Sequence, residues 1–263
     1  MKNHLKKLTF WGICSLIALQ VVVGDNIDEI SKKLSNPLSN IHSLSLRNDA
    51  DQDVGTNYGS RDTLKIQPVL SFDLNGNWSI LSKTSIPLIT QHDVMSGSTQ
   101  NGVGDIQQTF YFTPKTKTKI SMGFGPMFSI PTYDNNFSSK RYGAGPALVI
   151  LATPGKWTLG ALANHIWSFA GPGTENDKGY YSRTLIQPFA TYHLPKGWSV
   201  GINSESTYEW DTRELTVPIL LQVNKVIKIN DLPMSFGIAP EYYAVHPDNG
   251  ARWGVRSTVT FVF

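Results

Sequence analysis

Apolar and polar residues alternate along several stretches of this chain. Every second residue is apolar from Leu64 to Leu74, from Ile120 to Ile130 and from Trp198 to Ile202. A period of two places the apolar side chains on one face of an extended strand. Small or polar residues occupy the other face, so these stretches predict β-strands with a single apolar side.

Short turns and longer polar connections divide the chain in alternation. The short turns are predicted at 75–77, 114–117, 154–156, 195–197 and 230–231. The longer connections are predicted at 48–61, 91–104, 132–142 and 171–180, with 211–213 and 247–250 completing this second set. Short turns on one side and long loops on the other are typical of transmembrane β-barrels, whose short turns face the periplasm.

This spacing predicts an all-β fold, a transmembrane antiparallel β-barrel of about twelve strands. The predicted strands cover residues 40–48, 62–74, 78–90, 105–113, 118–130, 143–153, 157–169, 182–194, 198–210, 213–224, 233–245 and 251–263. Bulges or kinks are expected at the prolines inside these strands, because each proline removes a donor from the hydrogen-bond ladder. These prolines are Pro68, Pro87, Pro126, Pro146, Pro188, Pro218 and Pro240.

The tryptophans fall at two levels of the predicted barrel. Trp78, Trp157 and Trp198 each follow a short turn, which predicts an aromatic girdle near the periplasmic face. The opposite strand ends, beside the loops, carry a second set that predicts the outer girdle. That set includes Trp167, Trp210 and Trp253.

The last predicted strand ends on an aromatic residue. Val259, Phe261 and Phe263 share one face of it, whereas Arg256 and Thr260 lie on the other. A terminal aromatic on an alternating strand resembles the signal by which barrel-assembly machinery recognises outer-membrane proteins. We therefore predict Phe261 and Phe263 as the assembly signal.

Residues 1–24 have the character of a cleavable signal peptide. Three lysines precede a mostly apolar run from Leu8 to Val23, which is shorter than the ~20 residues of a membrane-spanning helix. Val22 and Gly24 provide small residues for cleavage after Gly24, and an uncleaved anchor is the alternative.

Removing this segment changes the charge balance. It contains three of the 23 lysines and arginines, none of the 20 acidic residues and the only cysteine, Cys14. Equal numbers of acidic and basic side chains remain, which indicates no nucleic-acid partner. No later apolar run is long enough for a spanning helix, so a membrane-inserted chain has to close its strands into a barrel.

Residues 25–39 form a separate periplasmic segment, and the predicted barrel covers 40–263. Ile27, Ile30 and Leu34 recur at helical spacing, with Asn26 available as a cap and Pro37 as a stop. A short amphipathic helix is therefore predicted. It enters the barrel mouth as a plug or rests on the inner leaflet, and a disordered leader is the other alternative.

Inward-facing polar residues provide the candidates for chemistry inside the barrel. The lumen and selectivity candidates are Lys65, Lys83, Asn164, Glu205, Glu241 and Arg256. A lining of mixed charge suits a narrow pore or a binding site for small polar or aromatic solutes. The alternative is that the same charges pair with one another across a filled interior.

Catalytic and metal sites find little support in the sequence. Lipid hydrolysis requires a nucleophile within reach of a base, but His165 and Ser168 are three residues apart on one strand and face opposite sides. His193 faces inward near a periplasmic turn, with no serine opposite. The acidic stretch 48–53, in the first predicted outer loop, either binds calcium or is simply solvated. We predict no catalytic residue, no metal and no cofactor.

Several short motifs are spread over nearly the whole chain after residue 24. They include Ile66-Gln67-Pro68, Gly104-Asp105-Ile106, Gly125-Pro126, the stretch from Trp167 to Gly171 and the stretch from Pro247 to Phe263. Together they resemble the bacterial outer-membrane family called "MetA-pathway of phenol degradation", some members of which carry the name neuromedin U. The resemblance implies a barrel that transports small molecules, and it supplies no catalytic residues.

These patterns predict an outer-membrane channel or transporter of a Gram-negative bacterium for small molecules, aromatic or hydrophobic solutes among them. The alternative is a closed barrel that modifies lipids or has a structural role at the cell surface. The expected partners are outer-membrane lipids, the barrel-assembly machinery and an unidentified small solute.

Overall fold

The structure, a computed structural model of the chain, describes residues 26–94, 97–115, 120–173 and 180–263. The predicted signal peptide, residues 1–24, lies outside the described residues. Helix α1 covers Ile27–Ser35. The strands are β1 Ser43–Val54, β2 Gly59–Asp73, β3 Trp78–His92, β4 Thr99–Val103, β5 Ile106–Pro114, β6 Ile120–Ile130, β7 Tyr142–Ala152, β8 Trp157–Ala170, β9 Ser182–His193, β10 Trp198–Asn203, β11 Ser206–Glu209, β12 Glu214–Ile229, β13 Leu232–Val245 and β14 Trp253–Val262. No helix in these ranges is long and apolar enough to cross a membrane.

The sheet closes on itself because its first and last strands pair. Ser43 to Gln52 of β1 pair antiparallel with Val262 to Trp253 of β14. β10 and β11 lie end to end between β9 and β12 and form one interrupted wall strand. β4 pairs only with the last residues of β3, beyond the part of β3 that pairs with β5. Within the described residues the wall is therefore a closed barrel of 12 antiparallel strands, which confirms the predicted fold.

Large apolar side chains cover the outside of this wall. The exposed fractions of Phe124, Leu148 and Leu221 are 50%, 50% and 57%. The alternation is as predicted, since Arg256 and Thr260 of β14 point inward and are buried, whereas Val255 points outward and is exposed. A contiguous apolar surface of this extent is unfavourable in water and is solvated by hydrocarbon.

The inner face is less polar than the sequence pattern predicts. A cluster of buried apolar side chains lies inside the barrel on strands β3 and β5 to β8: Leu81, Tyr111, Met127, Ala147, Val149, Leu151, Leu162 and Ile166, with Leu38 from the segment after α1. The prediction of a mostly small or polar inner face is therefore wrong for this half of the wall. These strands carry apolar residues on both faces, so alternation alone does not reveal them.

The first two predicted outer loops are mostly strand. β1 extends to Val54 and β2 begins at Gly59, so a tight turn replaces the predicted loop 48–61. In the predicted loop 91–104, β4 folds back and pairs with the end of β3. Val103 lies opposite Leu88 at one end of this pairing, and Thr99 lies opposite His92 at the other. Polar residues indicated loops here, but in a barrel they also line the inner face of a strand.

Two of the prolines coincide with irregular pairing. The β12–β13 register shifts between Val217 and Pro218. The gap between β10 and β11 lies opposite Pro188, whose carbonyl accepts from the Ser204 N–H at 3.2 Å. Pro240, by contrast, pairs with Val255 in continuous register. The predicted bulges are thus present at some of the prolines and absent at this one.

The tryptophans lie at the two ends of the strands. Trp78, Trp157 and Trp198 are the first residues of β3, β8 and β10, each after a short turn. Trp167 and Trp253 lie near the opposite ends of their strands, and their exposed fractions are 52% and 50%. Trp210 directly follows β11 on the same side, with an exposed fraction of 56%. Their role as membrane girdles stays a prediction.

The end of the chain completes the β1–β14 seam. Phe261 pairs with Leu44 on one side and Met234 on the other, and the Phe263 N–H donates to the His42 carbonyl at 2.9 Å. That Phe261 and Phe263 form an assembly signal stays a prediction.

One glycine allows a close approach of β7 to β8. A Cβ on Gly145 would lie 1.8 Å from the backbone oxygen of His165, whereas a Cβ on Gly76, in the short turn before β3, would meet no atom within 4 Å. We expect Gly145→Ala to lower the free energy of unfolding by about 1–3 kcal/mol, because the backbone has to move apart. Urea titration of the refolded barrel, followed by tryptophan fluorescence, measures this. Gly76→Ala is the control, and equal losses in both variants would contradict the packing described.

Candidate functional site

A network of charged side chains crosses the interior of the barrel. Arg256 donates through Nε to Asp49 at 2.5 Å and through Nη1 to Glu205 at 2.7 Å, and its Nη2 lies 3.8 Å from Glu241. Arg47 donates to both carboxylate oxygens of Glu205, at 2.9 and 3.1 Å. Asp49 also accepts from Lys65 at 2.9 Å. Charge-assisted contacts of this kind offset the cost of removing the ions from water.

The topology explains why these residues meet. Asp49 of β1 is directly opposite Arg256 of β14 in the ladder, and Lys65 is opposite Arg47. Glu205 lies between β10 and β11, and β12 and β13 separate it from β14 along the wall. Its contacts with the two arginines therefore run across the lumen. Five of the six predicted lumen residues lie in or beside this network.

Lys83 and Asn164 have different surroundings. Lys83 of β3 faces the lumen opposite Val69 and Thr109. Among the described residues, no carboxylate lies within ion-pair distance of its ammonium group. Asn164 lies on β8 opposite Ala147 and Leu185, beside the apolar cluster. The structure therefore does not bring Asn164 together with the charged candidates.

A cavity of about 320 Å³ lies between the charged network and the apolar cluster. Arg47, Lys83, Glu205 and Arg256 line its charged side. Leu81, Tyr111, Leu162 and Phe189 line its apolar side. Amide side chains complete the wall: Gln67, Gln187, Asn203, Gln222 and Asn224. The volume is at the lower end of the roughly 300–1,000 Å³ typical of small-molecule sites.

Helix α1 forms the boundary of this cavity at the barrel end that carries the short turns. Asn26 caps the helix, and its side chain accepts from the Asp28 N–H at 3.3 Å, as the sequence predicted. Ile30 has an exposed fraction of 1% and packs with Ile41, Val226 and Val262 inside the barrel wall. Ser31 and Leu34, together with the following segment Ser35–Pro37, line the cavity.

Two polar contacts fix the helix against the wall. The Asp28 carboxylate accepts from the Gly197 N–H in the turn before β10. Ser31 Oγ lies 3.5 Å from His193 Nδ1, and His193 Nε2 lies 2.9 Å from Thr158 Oγ1. The helix is therefore positioned inside the barrel mouth.

The outer loop after β6 folds onto β4 and β5. Asp105 accepts from Ser138 Oγ at 2.6 Å and from the Ser139 N–H at 3.0 Å. Desolvation disfavours the charged form of Asp134, but three backbone N–H groups donate to its carboxylate and hold its pKa below the usual value. These donors belong to Val103, Asn136 and Phe137. The loop is thus tied to the wall by carboxylates that accept backbone hydrogen bonds.

The acidic stretch 48–53 is neither a calcium-binding loop nor a solvated loop, so both alternatives are wrong. Asp49 and Asp51 lie in β1 and face the lumen rather than an outer loop. Asp49 belongs to the charged network, and Asp51 accepts from Tyr243 Oη at 2.8 Å. In the part of the chain that the structure describes, no group of three or more His, Cys, Asp or Glu residues is arranged to hold a metal.

The structure places hydroxyl groups around His165 that sequence spacing missed. His165 Nε2 lies 3.1 Å from Ser182 Oγ, and Nδ1 lies 2.6 Å from Thr184 Oγ1. Trp210 Nε1 donates to Thr184 Oγ1 at 2.8 Å. These groups lie on the outer surface near the loop ends. They come from β9, the strand paired with β8, so only the cross-strand register identifies them.

Comparison with known proteins identifies the family. The model of the family described as "MetA-pathway of phenol degradation" matches residues 36–216. The chain belongs to this family. No curated protein matches this family member in sequence.

Solved structures share the barrel fold of this family member. An outer membrane channel from Pseudomonas putida F1 is 14% identical and has a TM-score of 0.66, over 84% of this chain and 93% of that chain. An outer membrane phospholipase dimer from Salmonella typhi is 13% identical and has a TM-score of 0.46, over 91% and 99%. The second likeness is too weak to support an inference. The closed wall with its apolar outer surface and the first likeness locate the family member in the bacterial outer membrane.

Removing the central cation should destabilise the barrel. We expect Arg256→Met to lower the free energy of unfolding by about 3–5 kcal/mol, because Asp49, Glu205 and Glu241 lose a shared partner inside the wall. The control is Arg252→Met, which removes an exposed guanidinium 4.9 Å from the Tyr58 ring and should cost less than about 1 kcal/mol. Urea titration in detergent compares the two variants. Similar losses would show that the network does not stabilise the barrel.

Proposed function

We propose that this protein is a channel that lets small solutes cross the outer membrane through the barrel lumen. The observation that carries the proposal is the cavity of about 320 Å³ at the centre of the closed wall. Side chains from ten of the twelve wall strands, all except β6 and β7, line this cavity, and many of them are polar. A barrel with a purely structural role has no need for an unfilled, polar interior.

The charged network supports a narrow pathway. Ion pairs from Arg47 and Arg256 to Glu205 connect wall strands that are four and three positions apart, and they fill part of the lumen. The remaining space lies between these pairs and the apolar cluster. Lys83, Glu205 and Arg256 line it and are the residues that we propose for selectivity. Glu241 lies beside Arg256, and Lys65 pairs with Asp49, the carboxylate that both arginines share.

The apolar half of the lumen supports solutes with a hydrophobic part. Tyr111, Leu162 and Phe189 offer a surface on which an aromatic or aliphatic group can pack. The family description, which refers to phenol degradation, agrees with this class of solute. We propose that α1 restricts the periplasmic end of the pathway, because it packs inside the mouth and bounds the cavity.

Planar-bilayer recordings of the refolded protein test the channel and the role of α1 together. We expect conductance from the wild type and a higher single-channel conductance from Ile30→Asp, because a charge at this buried position releases the helix from Val226 and Val262. Glu29→Ala, at an exposed position of the same helix, should conduct like the wild type. Bilayers that stay silent with correctly folded protein would contradict the channel. A wild-type conductance for Ile30→Asp would contradict the restriction by α1.

Lipid hydrolysis is a second candidate, which the contacts of His165 favour. Ser182, His165 and Thr184 form a chain of hydrogen-bonding groups on the lipid-facing surface. The orienting group is a neutral hydroxyl rather than a carboxylate, which makes His165 a weak base. Such a reaction also requires donors for the oxyanion, whereas backbone N–H groups in a strand ladder are engaged in pairing. The channel is therefore the better-supported function.

Release of fatty acid from phosphatidylethanolamine vesicles separates the two candidates. We expect the purified wild type and Ser182→Ala to release fatty acid at the same background rate, because the oxyanion is not stabilised. A rate that exceeds background in the wild type and is lost in Ser182→Ala would instead establish an enzyme. Ser168→Ala, which alters an inward-facing hydroxyl, is the matched control.

A further inference from the structure

We infer that the lumen cavity is a binding site for small monoanions that carry an apolar, ring-sized body, such as aromatic carboxylates. The inference deepens the proposed channel function and rests on it for its physiological meaning. It names the solute class that the lumen recognises.

The first support is the charge balance of the lumen network. Three cations, from Arg47, Lys65 and Arg256, meet three carboxylates, from Asp49, Glu205 and Glu241, in a continuous set of ion pairs. Lys83 is left over, since in the described parts of the chain no carboxylate lies within ion-pair distance of it. An ammonium group without a counter-ion that borders a cavity attracts an anion.

A second donor next to this cavity also lacks a partner. Arg47 Nε is buried and forms no hydrogen bond with any described residue, although the terminal nitrogens of the same guanidinium bind Glu205. Glu205 accepts from Arg47 and Arg256 together, so its negative charge is already compensated. Lys83 is therefore the uncompensated cation that borders the cavity.

The third support is the position of the apolar surface relative to Lys83. Leu81 is two residues before Lys83 on β3 and faces the lumen with it, and Tyr111 lies opposite Leu81 on β5. Leu162 and Phe189 continue the same surface along β8 and β9. A carboxylate held at Lys83 can thus place a ring against Tyr111 and Phe189. The volume of about 320 Å³ limits the ligand to a small molecule.

Calorimetric titration of the refolded barrel in detergent tests this site without requiring conduction. The probes are benzoate, benzyl alcohol and benzylamine, which share a ring and differ in charge. We expect benzoate to bind at least about tenfold more tightly than benzyl alcohol, and benzylamine more weakly than both, because a charge-assisted hydrogen bond adds to ring burial.

Two variants and one control assign the two halves of the site. Lys83→Met should weaken benzoate binding at least about tenfold and leave benzyl alcohol unchanged. Phe189→Ala should weaken both ligands by a similar factor. Lys115→Met, which removes an ammonium group paired with Asp73 at the periplasmic turn, should bind like the wild type. Migration of the unheated proteins on detergent gels verifies folding of each variant.

The outcomes separate this inference from the channel. Equal affinity for benzoate and benzyl alcohol, no benzoate binding, or an unaffected Lys83→Met variant would overturn the anion site, even if the barrel conducts ions. Lys83-dependent benzoate binding by a protein that never conducts would support the site and overturn the proposed channel.

Discussion

The pairing of β1 with β14 is the constraint on which the rest of this barrel depends. Hydrocarbon offers no hydrogen bonds, so a strand edge exposed to lipid would leave a row of backbone groups unpaired at several kcal/mol each. The antiparallel pairing of β1 with β14, which runs from Ser43 opposite Val262 to Gln52 opposite Trp253, removes that edge. It also brings Asp49 opposite Arg256, so the same pairing that closes the wall assembles the centre of the charged network.

The interior is divided into two chemically different halves. Strands β1, β2 and β14 contribute Arg47, Asp49, Lys65 and Arg256, whereas β3 and β5 to β8 contribute the apolar cluster. Glu205 reaches the network from the gap between β10 and β11, three strands away from β14, where the strand is interrupted beside Pro188. The interruption positions the ion pairs, because Glu205 lies in the gap between β10 and β11 and its carboxylate enters the lumen there.

Helix α1 lies between the cavity and the barrel mouth at the short-turn end. Its apolar face packs on Val226 and Val262, while Ser31 and Leu34 bound the space above it. Because α1 contacts both the wall and the cavity, its position determines how open the route from this mouth to the lumen is. Few polar contacts hold it, chiefly those of Asp28 and Ser31, so packing of Ile30 supplies most of its attachment.

The sequence by itself determined the barrel, the approximate strand positions, the two levels of tryptophan and the short N-terminal helix. These features depend on local periodicity and turn chemistry, which a single stretch of chain displays. The prediction from sequence was wrong where polar residues fit both a loop and the inner face of a strand. The residues from Asn48 to Asp53 look like a loop, yet β1 continues through Asp49 and Asp51 because their side chains face the lumen.

Only the tertiary structure decided which inward residues meet. Glu205 contacts Arg47 across 158 residues of sequence, and Ser182 reaches His165 through the β8–β9 register. The candidate list contained Lys83 and Arg256 as equals, but Arg256 is surrounded by carboxylates and Lys83 is not. Distances across a lumen depend on strand order and register around the whole closed wall, and no local pattern in the sequence encodes them.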